Sequence, residues 1–360
     1  MTRPLADLLS LFLRLGTTGF GGPAAHTALM EAEVVRRRGW LTPTAFLDLV
    51  SAAQLIPGPN STELAMHIGY RRARWAGLVV AGTAFILPAA LITLAVAWAY
   101  ARYGALPRGR ALLAGVAPVV LAIVVQAVWS LGRTALRSAL TVALAAAAAL
   151  AVALGTHELL VLATAAGIAV LDRRVIAGGD PLAPAVDPGA LGTLFGVFAK
   201  AGALLFGSGY VLLAFLRADL VHRLGWFTEA QLVDAIAVGQ ATPGPVFTTA
   251  TFVGFQLAGP RGAAVATAGI FLPAFLFVAL TAPILPRLRA HRDLGAALDG
   301  LNAASLGLMV AALAPVAASV AGRPGLALGV GLPALALLAT GRAGPMSLLV
   351  GGAAVGLVLG

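Results

Sequence analysis

The sequence predicts an all-α polytopic membrane protein of two homologous helical halves, each carrying a broken or re-entrant helix at a Pro-Gly-Pro. Three observations predict it. Of 360 residues, 60% are hydrophobic and 11% charged, with a mean hydropathy of +0.95, whereas a soluble domain is about a quarter charged. That much apolar surface cannot be hidden in one aqueous core, so lipid is the expected solvent. The apolar runs are long and unbroken, as at 78–101 and 326–340; a β-barrel would show short segments of alternating polarity. Finally, the chain is written twice, at an offset of 186 residues.

The repeat is carried by residues that chance apolar similarity would not match. Phe12 falls on Phe198, Gly16 on Gly202, and "FGGP" at 20–23 on "FGSG" at 206–209. "GWLT" at 39–42 falls on "GWFT" at 225–228, Asp48 on Asp234, and Gln54 on Gln240. Pro57-Gly58-Pro59 falls on Pro243-Gly244-Pro245. Beyond the break a one-residue gap is needed, after which Gly69 meets Gly254 and Leu87-Pro88 meets Leu272-Pro273. The polar, Gly/Pro-rich stretch 172–189 reads as a linker. It separates repeats at 1–171 and 190–360.

Within the first half the elements follow in order. Residues 5–20 form an apolar helix that ends at Gly-Gly-Pro. Residues 24–38 form a mixed helix whose Glu31 and Glu33 can pair with Arg36–Arg38. Residues 44–56 and 61–69 flank the break, and neither is long enough to cross about 30 Å of hydrocarbon at about 1.5 Å per residue. Residues 75–100 form a long helix with a kink expected at Pro88. Segments 111–131, 138–154 and 157–171 complete the half, and the second half repeats the plan.

The two short segments make either one broken crossing or a re-entrant hairpin. Charge favours the hairpin. Arg36–Arg38 precede the pair, and Arg71, Arg72 and Arg74 follow it. A hairpin gathers all six on one face, as the positive-inside bias prefers. The break also leaves backbone N–H groups at a half-helix start, where partial positive charge suits an anion. Paired interrupted segments in two repeats mark the binding site of a transporter.

Several classes are excluded. The net charge of +10 lies mostly in clusters between apolar runs, which is topology rather than nucleic-acid binding. With no cysteine there is no disulfide or thiolate site, and the five histidines lack ligand spacing, so neither metal nor cofactor is expected. No Walker loop or nucleophile constellation is visible, which argues against an ATP-driven pump or any enzyme. No cleavable leader is evident, and a prokaryotic plasma or inner membrane is the expected location.

Phe20–Pro23, Gln54–Pro59 and Phe85–Pro88, with second copies at 206–209, 240–245 and 271–273, resemble the chromate ion transporter family in its long-chain, two-domain form. The resemblance covers nearly the whole chain. It implies secondary active export of chromate, with chromate resistance, and halves in opposite orientations. The shift of the stronger basic cluster to Arg287, Arg289 and Arg292 in the second half leans the same way. Chromate mimics sulfate, so uptake or exchange of sulfate or another tetrahedral oxyanion is the alternative. The expected partners are the oxyanion, the bilayer and a second copy of the chain, without nucleic acid.

The candidate substrate-binding residues are Arg14, Gly21, Gly22, Gln54, Pro57, Gly58, Pro59, Asn60 and Ser61 in the first half. In the second they are Lys200, Gly207, Ser208, Gln240, Pro243, Gly244 and Pro245. Arg14 and Lys200 align across the repeat inside apolar runs, where a cation is costly and either attracts an anion or bridges an acid. Asp48, Glu63 and Asp234 are candidates for proton coupling. Glu63 also suits a cap with Asn60. The second copy lacks Asn60, having Val246, so the first half is the better seat for the anion.

Overall fold

A computed structural model describes residues 3–19, 22–54, 56–104, 106–136, 138–154, 191–205, 211–283 and 320–359, with scattered positions at 161–168 and 303–318. The described residues form helices and no strand. The first half contains α1 (Arg3–Thr18), α2 (Gly22–Glu31, continued by a π-turn at Ala32–Arg37), α3 (Pro43–Gln54), α4 (Asn60–Tyr103), α5 (Pro107–Ala135) and α6 (Ala139–Ala153). The second contains α7 (Leu191–Leu204), α8 (Leu212–Leu216, with a π-turn at Arg217–Arg223), α9 (Glu229–Ala241), α10 (Thr249–Thr281), α11 (Leu332–Ala339) and α12 (Pro345–Leu359). The order α1–α4 is repeated by α7–α10, down to the two π-turns. The expected segment 157–171 and the loop 287–292 lie largely or wholly outside the described residues.

α4 and α10 are not straight. Helical dihedrals fail at Ala73 and Arg74 in α4, and at the repeat-equivalent Ala258 and Gly259 in α10. Around each point the chain doubles back. The backbones of Gly69 and Gly77 touch, as do those of Gly254 and Gly262. In a straight helix eight residues separate by about 12 Å, so each contact requires an antiparallel hairpin. Only a residue without Cβ allows it: a methyl on Gly77 would run into the Gly69 carbonyl. Thr251 and Thr267 bond across the second hairpin at 2.7 Å. Pro88 sits inside α4 with no break in its dihedrals; the sharp departure is at Ala73–Arg74.

The first arm of each hairpin is a half-helix with protein on every side, since residues 61–70 and 246–254 are all buried. The second arms carry the lipid-facing surface. Val79, Leu87, Leu91 and Trp98 of α4 and Leu272, Leu276 and Leu280 of α10 are exposed. An outward apolar face of this extent would not persist in water. Among the described residues three helices are long and apolar enough to cross a bilayer: Asn60–Tyr103, Pro107–Trp129 and Val246–Thr281. The chain is a multi-pass membrane protein.

α1 packs on α4, α7 on α10, and the two long helices on each other. Leu8, Leu11, Phe12 and Leu15 of α1 share a core with Leu64 and Phe85 of α4; Phe198 of α7 packs in a larger one with Ile270 and Phe271 of α10. The basic clusters meet at one end. The guanidiniums of Arg38 and Arg72 each lie 4.9 Å from the Trp40 ring centroid, so the residues before α3 and those at the turn of α4 sit together.

Candidate functional site

Each Pro-Gly-Pro seats on the opposite half. The Gly58 N–H donates to the Leu205 carbonyl at 2.8 Å, and the Gly244 N–H donates to the Gly19 carbonyl at 2.8 Å. Leu205 and Gly19 are themselves repeat equivalents, each one residue past its first helix. Both glycines hold positive φ, +132° and +85°, a region that L-residues avoid. Gly58 lies against Glu63 and Ala274, and Gly244 against Ala89 and Gly16. Each break therefore lies against the opposite half, beside that half's long helix. Their central N–H groups are already bonded. Donors for an anion must come from the half-helix starts that follow.

The two breaks are chemically unequal. The second is closed by hydroxyls. Thr93 Oγ1 lies 3.3 Å from Thr242 Oγ1 and 3.2 Å from Thr248 Oγ1. Thr248 and Thr249 also donate to backbone carbonyls, at 2.9 and 2.8 Å. Its first turn, Val246–Thr248, is wound as a 3₁₀ helix. A 3₁₀ turn takes fewer residues than an α turn, which accounts for the one-residue gap in the alignment.

The first break opens directly into α-helix at Asn60 and carries buried polar atoms without partners. These are Thr62 Oγ1, both carboxyl oxygens of Glu63, and His67 Nε2. Glu63 is fully buried, with Thr62 at 0% and His67 at 1% exposure. His26 adds an unpartnered Nδ1, while its Nε2 bonds the Gly19 carbonyl at 2.9 Å, the same oxygen that receives Gly244. Buried polar groups are nearly always satisfied, so orphans in one place call for a reason.

Arg14 and Lys200 are both paired. Arg14 bridges Glu33 at 2.6 Å, and Lys200 bridges Asp219. The acids are repeat equivalents, so one ion pair is written twice. Glu33 also meets Arg37 at 3.1 Å, and Asp219 meets Arg223 at 2.7 Å, again in equivalent positions. Burial alone would raise the Glu33 carboxyl, but the guanidiniums of Arg14, Arg37 and Arg38 hold it below its ordinary value. The bridging role weighed for Arg14 and Lys200 is the one occupied here. The spacing of 19 residues between base and acid in both halves was the available signal. Glu31 pairs with Arg36 at 2.7 Å, as its position predicts.

The remaining expected residues are dispersed. Gln54 ends α3 and is exposed, whereas Gln240 is 8% exposed. Pro57 and Asn60 are half-buried, and Pro59, Ser61, Pro243 and Pro245 are buried. Gly22 opens α2; Gly21, Gly207 and Ser208 lie outside the described residues. Asp48 is half-buried in α3. Asp234 accepts a 2.7 Å bond from Tyr100 and lines a cavity of about 320 Å³ with Arg110 and Arg323. Thr93, Thr242, Thr248 and Tyr100 escaped the sequence reading because they act between halves. No group of three or more potential metal ligands occurs among the described residues.

Two repeated helical halves, each with a break seated against the other, form a polytopic membrane architecture. Comparison with known proteins gives the family. A family model described as chromate transporter matches twice, over residues 6–171 and 192–357. The chain is 35% identical to a chromate transport protein of Cupriavidus metallidurans over 99% of this chain and 94% of that one. It is 33% identical to one of Pseudomonas aeruginosa over 92% and 86% of the two chains. A probable chromate transport protein of Synechococcus elongatus is 32% identical over 86% and 84%. The chain belongs to the chromate transporter family. No solved structure matches it.

Proposed function

We propose that the chain carries chromate across the prokaryotic plasma or inner membrane as a secondary active transporter, in the direction of export. The observation that carries this reading is the match of both halves to one transporter family whose full-length relatives bear chromate transport names. The breaks support it physically. Each is followed by a half-helix start in a protein-lined interior, where N–H donors and the positive helix ends favour an oxyanion. Gln240, Asn60 and Ser61 flank the anion in this reading. Arg14 and Lys200 reach it only by leaving Glu33 and Asp219. The end bearing Arg36–Arg38 and Arg71–Arg74 faces the cytoplasm, as the positive-inside bias requires. The halves then run in opposite orientations, and rocking of one against the other exposes the breaks to each side in turn.

The test is expression in a chromate-sensitive bacterium, with the protein verified in the membrane fraction. Lower chromate accumulation and higher resistance are expected. Unchanged accumulation rejects the reading. Proteoliposomes loaded with chromate or sulfate then decide between the two dianions. Preferential sulfate flux would reassign the cargo while keeping the architecture.

A further inference from the structure

A transporter of dianions has no obvious use for a buried carboxylate, yet Glu63 is one. It has no exposed surface and no partner for either oxygen. It sits against Gly58, at the break itself. One turn further along the same face of the half-helix lies His67, buried and with Nε2 unpartnered. From there the half-helix leads to the arginine cluster at its turn. The second half offers no equivalent, because its first turn is 3₁₀ and its threonines are bonded.

The charged and titratable groups around Glu63 are otherwise committed or remote. On α1, Arg14 is held by Glu33, and Asp7 lies 4.0 Å from Arg72. α2 brings His26, whose Nε2 is bonded to Gly19, and α3 brings Asp48, which has a partner. On α9, Asp234 accepts from Tyr100 of α4's long arm. α10 carries only Arg261, at its turn. On Glu63's own helix the other charges are Arg71, Arg72 and Arg74 at the turn and Arg102 at the far end. Among the described residues no cation neutralises Glu63, so the ionised carboxylate and a dianion cannot occupy the break together without strong repulsion.

We propose that Glu63 carries a proton in the transport cycle, one for each oxyanion, moving in the same direction as the anion. This rests on the transporter reading above. The proton enters from the aqueous phase on the side where the anion binds and resides on the Glu63 carboxyl while the anion is present. It leaves to the opposite aqueous phase once the anion has gone, with His67 as the neighbouring acceptor and donor. A dianion plus a proton crosses with net charge −1, so outward movement is driven by a membrane potential negative inside.

The experiment uses the full chain in proteoliposomes, with labelled chromate and an internal pH indicator. In the wild type, chromate and protons should move together at a ratio of one. With the membrane potential clamped at zero, each pH unit should multiply chromate accumulation about tenfold. In Glu63→Gln, a fixed mimic of the protonated acid, chromate–chromate exchange should persist. Proton movement and the response to pH should vanish. Glu63→Asp, which keeps an acid, should retain proton movement. Proton co-movement that survives in Glu63→Gln overturns the proposal, as it would if hydrogen chromate itself carried the proton. Loss of chromate exchange in Glu63→Gln also overturns it, because the residue then serves the anion path or the fold. Absence of any chromate or sulfate flux in the wild type rejects the transporter reading instead.

Discussion

The glycine contacts inside the hairpins give the sharpest test of the fold. At Gly77 an added methyl would be driven into the Gly69 carbonyl, which is backbone and cannot rotate away. Gly82 is intermediate: its methyl would lie 2.8 Å from Phe275 Cζ and 2.9 Å from Met66 Cγ, side-chain rather than backbone atoms. Gly196 of α7 has nothing within 4 Å and is exposed. Overpacking costs about 1–3 kcal/mol and sometimes more, while Gly to Ala in an open helix gains about 0.5–1 kcal/mol. Gly77→Ala should therefore lose about 3 kcal/mol or more, since the two arms must separate. Gly82→Ala should lose about 1–2 kcal/mol, and Gly196→Ala should lose nothing. Gly262→Ala, the repeat equivalent of Gly77, should behave like it. Thermal unfolding in detergent, followed by size-exclusion recovery, ranks the four. If Gly77→Ala melts no lower than Gly196→Ala, the hairpin at Ala73–Arg74 is wrong.

Other expectations follow from the same geometry. Arg74 holds φ +53° and ψ −140° where the second half has Gly259 at φ +60° and ψ −151°; such strain costs about 1–3 kcal/mol, so Arg74→Gly should raise the melting temperature despite losing the Arg74–Tyr70 contact. Asp219, 2% exposed, neutralises Lys200 and Arg223. Asp219→Asn should cost about 3–5 kcal/mol and lower the yield of folded protein, while a joint Lys200→Met, Asp219→Leu variant should recover part of it. Glu33 is held below its ordinary value, so its stabilisation is present above the unfolded carboxylate value of about 4.3 and fades as pH falls through the lower folded value. Glu33→Gln should flatten the acid side of a stability-versus-pH curve measured by detergent melts. Arg14→Ala should lower stability by breaking the Glu33 network; if instead it abolishes chromate binding with the melt unchanged, the cation serves the anion directly.

Much of this architecture could be read from residue order. Gly, Pro, Trp and Gln recurring at one offset gave the two halves, because those types mark backbone geometry rather than mere hydrophobicity. The two arginine clusters flanking the break were legible in the sequence, and one arginine of each, Arg38 and Arg72, lies on the Trp40 ring. The candidate site was less legible. Arg14 and Lys200 look like free cations when each helix is read alone; their acids sit 19 residues away, beyond any helical periodicity. The bonds from Gly58 to Leu205 and from Gly244 to Gly19 join residues more than 140 positions apart, and no local pattern encodes them. The orphaned state of Glu63 likewise depends on what the other half fails to supply.

Those crossed glycine bonds have a consequence for how such a protein could arise. Each half completes the other's break and leaves its own unfinished. A single half would carry an exposed Gly-Pro turn and an unmatched carbonyl at the end of its first helix. It could close only by docking head to head with a second half. The chain is in this sense a joined pair of subunits, matched separately by the family model at 6–171 and 192–357. The joined halves differ at their breaks: one has the acid and the α-helical start, while the other is one residue shorter there and has its break filled with hydroxyls. Cutting the chain between the two matched halves and supplying both pieces together should still yield an assembled protein, whereas either piece alone should not.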